Sequence, residues 1–192
     1  LPFASPPPML AIMISRLGLA TSLFAAMLAA AATASDSAPH RLKIGVVQMA
    51  QAPTMAGNRD RIVSGIADAA QRGARVVVFP EAALMGQGSD ELAAVDEAVA
   101  AIRRATRDRG AYVMFGATTH TPAQKRNVNW MLVLAPDGRE LLRYDKLYDQ
   151  PKSPMPGVFE IDGIPCGTMI CADRWLRGIE EIPIQQGAKV SF

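Results

Sequence analysis

The chain has 192 residues, of which 49% are hydrophobic and 20% are charged. This composition excludes a disordered polypeptide, which would be less hydrophobic and more charged. The 2 cysteines are too few for a small protein held together by disulfide bonds. The formal net charge of +2 excludes the strongly basic surface that is typical of nucleic-acid-binding proteins. The length predicts one globular domain, and we expect no nucleic-acid partner.

The first 34 residues differ in composition from the rest of the chain, because Arg16 is their single charged residue. Residues 17–32 are apolar apart from Gly, Thr and Ser, and residues 32–34 read Ala-Thr-Ala. A basic residue, an apolar stretch and small residues at a cleavage site are typical of a secretory signal peptide. A retained membrane anchor is the alternative, but the apolar stretch is short for a span of ~20 residues. We expect residues 1–34 to be a signal peptide and the protein to be exported, either to the periplasm or to the medium.

Residues 35–192 alternate between helical and extended hydrophobic periodicity. Helices are predicted at 58–71, 91–109 and 175–186, with Asn58 as the cap of the first, Asp90 starting the second and Pro183 interrupting the third. Strands are predicted at 42–49, 75–79, 112–118, 128–135, 140–144, 158–161, 164–171 and 189–192. This order predicts an α/β protein with a mixed sheet, in one domain that comprises residues 35–192.

Three reactive side chains lie at the carboxyl ends of predicted strands, where ligands gather in α/β proteins. Glu81 and Lys146 each follow such a strand, and Cys171 ends one. A carboxylate against the end of a buried strand is costly unless it is paired or used. Each residue also has a plain structural interpretation, as a solvated or capping glutamate, a solvated lysine and a packed thiol.

The two cysteines do not fit a disulfide bond. Cys166 and Cys171 are five residues apart in one predicted strand, so they face opposite sides of the sheet. Their extended separation of ~16 Å is beyond the reach of a disulfide. We expect Cys166 to be packed inside the strand. We expect Cys171 to lie exposed at a strand-to-helix turn, near the positive end of the helix, where the thiolate is favoured.

A nucleophilic thiol needs a base, and histidine is the usual one. The two histidines of the chain lie in a terminal tail and a loop, away from the strand end that would face the thiol, at His40 and His120. A carboxylate beside an apolar strand can replace imidazole, and Glu81 fits that requirement. Lys146 and the backbone N–H of Ala172 can then bind a developing oxyanion.

These residues resemble the motifs of the nitrilase superfamily of carbon–nitrogen hydrolases. Glu81 in VVVFPE resembles its first motif, Lys146 in YDKLYD its second, and Cys171 in GTMICADRW its third. The segments KIGVVQM at 43–49 and QQGAK at 185–189 are similar to further landmarks, in the same order. The resemblance covers roughly residues 41–192.

The resemblance implies an α-β-β-α sandwich and a hydrolase acting on a small amide, carbamoyl compound or nitrile. By analogy, Cys171 would attack the carbon and form a thioester, while Glu81 would move the thiol proton to the leaving amine and later activate water. Lys146 would stabilise the tetrahedral intermediate. No metal or organic cofactor is implied. Asp173 and Arg174, after the nucleophile, are expected to support the site structurally.

The chain departs from the superfamily pattern in two respects. Many members carry a further glutamate between the lysine and the cysteine, and Glu160, inside a predicted strand, is the only glutamate in that interval. The role of the extra carboxylate is therefore not transferred to Glu160. The family's domain also continues past the strand that starts at Lys189, so we expect a domain that is incomplete at its C-terminus.

Three functions from different classes fit these observations. The first is an exported amidase, and the second is an amine acyltransferase of the same superfamily. The third is a non-catalytic fragment or binding module that keeps the motifs without a complete pocket. The expected partner is a small-molecule substrate, with membrane contact only through an uncleaved signal segment, and relatives often form homo-oligomers.

Overall fold

The computed structural model describes residues 41–85, 91–120, 127–149, 151, 155 and 157–192. The predicted signal peptide, His40 and Asp90 lie outside the described residues. The strands are β1 (Ile44–Val46), β2 (Val76–Val78), β3 (Leu84–Met85), β4 (Tyr112–His120), β5 (Asn127–Leu134), β6 (Glu140–Asp145), β7 (Phe159–Ile161), β8 (Ile164–Gly167) and β9 (Val190–Ser191). The helices are α1 (Met55–Gln71), α2 (Glu91–Arg109), a 3-10 helix (Cys171–Trp175) and α3 (Glu181–Gln185). No helix in these ranges is long and apolar enough to cross a membrane.

The strands form two mixed sheets. The larger sheet has the order β1-β2-β4-β5-β6, with β3 also paired to β4. Its first three strands are parallel, and β5 is antiparallel to both of its neighbours, β4 and β6. The smaller sheet has the order β7-β8-β9, in which β7 and β8 form a hairpin and β9 is parallel to β8. The predicted α/β class with a mixed sheet is confirmed.

The helices α1 and α2 cover one face of the larger sheet. Ile62 and Ile66 of α1 and Ile102 of α2 are fully buried in one cluster with Phe115 and Leu132 of the sheet. The apolar spacing of α1 and α2 places these side chains on one stripe, which explains why both helices pack against the sheet.

The other face of the larger sheet packs on the smaller sheet. The side chains of this second cluster come from both sheets, and its buried members are Val76, Met114, Val133, Phe159, Ile161 and Cys166. Neighbouring residues of a strand face opposite sides, so Gly167 points away from this cluster. A Cβ on Gly167 would lie 2.5 Å from the Pro183 Cβ, so α3 packs closely on that outer face. The layers are therefore helix, sheet, sheet and helix, as the resemblance implies.

The start of the first helix was predicted wrongly. α1 begins at Met55 and its N-cap is Thr54, whose hydroxyl accepts a hydrogen bond from the Gly57 N–H at 3.1 Å. Asn58 is instead fully buried, and its side-chain amide donates to the carbonyls of Ala52 and Met85. An asparagine in the first turn can thus tie neighbouring loops together rather than cap its own helix.

The chain after β8 also differs from the prediction. The strand predicted to reach Cys171 ends at Gly167, and the predicted helix 175–186 is replaced by the 3-10 helix, a turn and the short α3. Pro183 is the third residue of α3. A proline is tolerated there because the first N–H groups of a helix have no partner within it. In the longer predicted helix the same proline would lie in the interior, where proline breaks a helix.

Candidate active site

Glu81 lies in a tight turn that follows the buried strand β2. The next residue, Ala82, has a φ of 55°, a left-handed conformation that is uncommon for residues other than glycine. The turn rests on β4 at Gly116, where an added Cβ would lie 2.9 Å from both the Glu81 Cα and the Ala82 nitrogen. Glycine at position 116 therefore allows the chain to turn directly against the sheet and fixes the backbone of Glu81.

Lys146 directly follows β6 and its side chain is only 9% exposed. Its backbone N–H donates to the Asn129 carbonyl of β5 at 2.8 Å. Its Nζ donates to Glu81 Oε1 at 2.7 Å and lies 4.0 Å from Asp149 Oδ2. The end of the antiparallel strand pair thus brings the lysine predicted from the second motif onto the glutamate predicted from the first.

The charge of Lys146 is set by opposing influences. Burial lowers the pKa of Lys146, but the hydrogen bond and charge of Glu81 outweigh that effect, with smaller contributions from the charges of Asp149 and Cys171. The net result is a raised pKa, so the ammonium group persists well above neutral pH. The contribution from Cys171 places this cysteine within electrostatic reach of Lys146.

Cys171 is exposed and opens the 3-10 helix. Its φ of 44° lies in the left-handed region, which costs a residue other than glycine about 1–2 kcal/mol. Backbone strain of this kind is concentrated at functional sites. The backbone N–H of Ala172 belongs to the first turn of the same helix. This helix has only five residues and is therefore shorter than the helix that was predicted to follow the cysteine.

Asp173 connects the cysteine segment to the lysine segment. Its side chain is fully buried, and it accepts hydrogen bonds from the Tyr144 hydroxyl at 2.5 Å and from the Tyr148 backbone N–H at 2.7 Å. These donors lie two residues before and two residues after Lys146, and Asp173 lies two residues after Cys171. The carboxylate therefore fixes the two segments relative to each other, whereas its neighbour Arg174 is exposed.

Tyr144 is held in its neutral form by this environment. Burial raises the pKa of Tyr144 well above its usual range, and the hydrogen bond and charge of Asp173 raise it further. The hydroxyl therefore remains a donor to Asp173 over the whole neutral and mildly alkaline range.

Two residues at the site, Asn129 and Thr118, were not predicted from the sequence. Asn129 donates from Nδ2 to Glu81 Oε1 at 2.8 Å, and the Thr118 hydroxyl donates to Asn129 Oδ1 at 2.5 Å. The available signal was the position of Asn129 between apolar residues of the strand NVNWMLVL, because asparagine is depleted in strands. The partner of that asparagine could not be identified without the register of β4 and β5, which places Thr118 opposite it.

The remaining candidates lie elsewhere. Glu160 is exposed on β7, and His120 is the last residue of β4. Cys166 is buried in β8, as predicted, and both cysteines are free thiols. In the part of the chain that the structure describes, no group of three His, Cys, Asp or Glu side chains could hold a metal ion.

The two thiols are expected to differ strongly in reactivity. Burial raises the pKa of Cys166, which lowers its thiolate fraction, and its fully buried side chain excludes reagents. Iodoacetamide at pH 8 should therefore alkylate Cys171 of the folded chain and leave Cys166 intact until urea is added. Peptide mass spectrometry gives both extents, and equal labelling of the two thiols in the folded chain would contradict this arrangement.

The chain matches one family model, described as Carbon-nitrogen hydrolase, over residues 43–190. Comparison with curated protein sequences gives no match. Among solved structures, an amidase from Nesterenkonia sp. AN1, with acrylamide added at its active-site cysteine by Michael addition, is 21% identical with a TM-score of 0.66. That match covers 79% of this chain and 65% of the amidase.

Two further structures have the same fold. A double mutant of the Nesterenkonia amidase in complex with acrylamide is 18% identical with a TM-score of 0.68, and the match covers 80% of this chain and 65% of that one. A carbon–nitrogen hydrolase from Helicobacter pylori G27 is 17% identical with a TM-score of 0.65, and the match covers 78% of this chain and 58% of that one. The chain thus spans less than two thirds of the length of these structures. The family match, over most of the chain, confirms the resemblance seen in the motifs: this chain belongs to the carbon–nitrogen hydrolase family.

Proposed function

We propose that this protein is an exported amidase that hydrolyses small amides through a thioester at Cys171. The observation that carries the proposal is the hydrogen bond of 2.7 Å between Lys146 and Glu81. Lys146 also lies within electrostatic reach of Cys171, whose backbone is strained. A carboxylate, an ammonium group and an exposed thiol are the groups that covalent cleavage of an amide requires.

In acylation, Cys171 Sγ bonds to the amide carbon and its proton passes to Glu81. The carbonyl oxygen becomes an oxyanion, which Lys146 and the Ala172 N–H stabilise. The oxyanion then re-forms the carbonyl, the carbon–nitrogen bond breaks, and the amine leaves with the proton from Glu81. The remaining product is a thioester between the acyl group and Cys171.

In deacylation, Glu81 takes a proton from water as the water oxygen attacks the thioester carbon. The tetrahedral intermediate collapses, the carbon–sulfur bond breaks, and Cys171 recovers a proton from Glu81. The products are a carboxylic acid and ammonia or an amine. Every proton is returned, so the cycle needs no co-reactant other than water.

The proposed substrates are small aliphatic amides. The Nesterenkonia amidase, which shares this fold, has been observed in complex with acrylamide and with butyramide. We propose the same class for this chain, with carbamoyl compounds and nitriles as further members of a test panel. The export part of the proposal rests on the signal-peptide pattern of residues 1–34, and cleavage after that pattern can be read from the N-terminus of the exported product.

Ammonia release from a panel that contains butyramide and acrylamide tests the proposal. We expect release by the full chain and none above background by Cys171→Ala, because the nucleophile is lost. Glu160→Gln, which removes an exposed carboxylate from β7, is the matched control and should retain the rate. If the full chain and Cys171→Ala behave alike, the chain is a non-catalytic module. If a thioester forms but resolves only when an amine is added, the chain is an acyltransferase.

A further inference from the structure

We infer that Asn129 and Thr118 form a positioning pair that reserves one oxygen of Glu81, Oε2, for proton transfer. The inference rests on the proposed function, since it assigns proton transfer to Glu81. It adds two residues outside the three motifs and gives the two oxygens of the Glu81 carboxylate different roles.

Lys146 and Asn129 both donate hydrogen bonds to the same oxygen of Glu81. In the described residues, Lys146 Nζ donates to Oε1 at 2.7 Å and Asn129 Nδ2 donates to the same oxygen at 2.8 Å. Both donors bind Oε1, and neither binds Oε2. A carboxylate held through one oxygen presents the other to whatever lies in front of it.

The hydrogen bonds at Oε1 decide which oxygen of Glu81 can take a proton. An ammonium nitrogen has no lone pair, and the lone pair of an amide nitrogen is delocalised into its carbonyl, so neither can accept a hydrogen bond from a protonated Oε1. A proton on Oε1 would break one or both of these contacts. A proton on Oε2 leaves both in place. The proton from the Cys171 thiol therefore goes to Oε2, and the leaving amine receives it from Oε2.

The Asn129 amide must be oriented with its nitrogen toward Glu81. Rotation of an amide by half a turn exchanges its oxygen and nitrogen, and the oxygen would then face Glu81 and repel it. The Thr118 hydroxyl donates to Asn129 Oδ1 at 2.5 Å, which directs Nδ2 toward Glu81. Thr118 and Asn129 are paired directly across β4 and β5, so the sheet register fixes this contact.

Asn129 also contacts the lysine through its backbone. Its carbonyl accepts the hydrogen bond from the Lys146 N–H at 2.8 Å, while its side chain binds Glu81. One residue thus sets the position of Lys146 by its main chain and that of Glu81 by its side chain. A side-chain substitution at Asn129 leaves the backbone bond available, which separates the two effects experimentally.

Four variants of the full chain test the pair. Asn129→Asp keeps the shape but replaces the NH₂ donor with a second carboxyl oxygen, and Thr118→Val keeps the shape but lacks the hydroxyl. Thr118→Ser keeps the hydroxyl. Glu81→Gln tests the base itself. The readouts are kcat and KM for butyramide, the rate of Cys171 alkylation by iodoacetamide, which needs no turnover, and the thermal midpoint.

We expect Thr118→Val to lower kcat about tenfold, the effect of one hydrogen bond of ordinary strength. Asn129→Asp should lower kcat about a hundredfold, because it also places a carboxylate beside Glu81. The alkylation rate should fall in the same order, KM should change less than about threefold, and Thr118→Ser should restore kcat to near its original value.

The outcomes separate this inference from the proposed function. If Glu81→Gln lowers kcat and the alkylation rate while Asn129→Asp and Thr118→Val do not, the positioning pair is wrong and the base assignment stands. If Glu81→Gln changes neither quantity, the proposed function fails first. If Thr118→Ser is as slow as Thr118→Val, packing rather than the hydroxyl matters and the inference is overturned.

Discussion

Replacement of Glu81 by glutamine is expected to lower kcat/KM for amide hydrolysis at least about a hundredfold. General base catalysis by a positioned side chain contributes at least that factor, and an amide cannot accept the thiol proton. Release of ammonia from butyramide measures the effect. The exposed Glu160→Gln is the matched control, since it makes the same chemical change on β7.

The same variant should change the titration of Lys146 in a defined direction. The hydrogen bond and charge of Glu81 raise the pKa of Lys146 against the lowering effect of burial. In Glu81→Gln the charge is gone and the burial remains, so the pKa of Lys146 should fall. An amine-reactive acetylating reagent should then modify Lys146 at a lower pH than in the original chain. Unchanged activity together with unchanged Lys146 reactivity would contradict the ion pair.

The raised pKa of Lys146 also fixes the pH range in which the ion pair stabilises the fold. A group whose pKa is raised on folding contributes stability that is complete below its unfolded value and is lost as the pH rises. The contribution of Lys146 is therefore complete at neutral pH and decreases above about pH 10, the ordinary range of lysine. Glu81 is partly exposed, so solvent screening reduces the contribution of this ion pair to stability.

Replacement of Asp173 by alanine is expected to cost about 3 kcal/mol of unfolding free energy. The change leaves the Tyr144 hydroxyl and the Tyr148 N–H without the carboxylate that accepts their hydrogen bonds, and each lost bond to a charged acceptor costs about 1.5–3 kcal/mol. Urea unfolding measures the loss. The neighbouring Arg174→Ala alters an exposed side chain on the same 3-10 helix and should change the free energy by less than about 0.5 kcal/mol. Equal effects of the two variants would contradict the role of Asp173.

Tyr144→Phe removes one of the hydrogen bonds that Asp173 accepts and leaves the bond from the Tyr148 N–H. At pH 7 it should cost about 1.5 kcal/mol, because one bond to the carboxylate is lost. The pKa of Tyr144 is raised by burial and by Asp173, so its contribution is complete below about pH 10 and is lost as the pH rises further. The difference between the original chain and Tyr144→Phe should therefore shrink at strongly alkaline pH. A difference that grows with pH would contradict this assignment.

Much of the fold was predictable because several elements have strong local patterns. The helix predicted at 91–109 has the same bounds as α2, and the strands around Val76–Val78 and Asn127–Leu134 were found within a few residues. Long periodic stretches determine their own structure. The two-residue strand β3, Leu84–Met85, was missed, since a strand of that length has no periodicity and depends on its partner β4.

The candidate site was predictable only in part. Glu81, Lys146 and Cys171 could be predicted as site residues because each lies at the end of a predicted strand and matches a motif. Asn129 and Thr118 could not, since their contribution depends on the pairing of β4 with β5 and on the turn at Ala82. The helix after Cys171 was overestimated, because apolar spacing over 175–186 does not include the effect of Pro183 and of packing on Gly167.

The central claim is that Cys171 carries the acyl group during cleavage of a carbon–nitrogen bond. The most direct measurement is the intact mass of the chain after it is mixed with excess butyramide and quenched in acid within milliseconds to seconds. We predict a butyryl adduct on the peptide that contains Cys171, formed together with one equivalent of ammonia. The adduct should be absent in Cys171→Ala and greatly reduced in Glu81→Gln. Ammonia released at the same rate by Cys171→Ala, or an adduct on any other residue, would contradict the account.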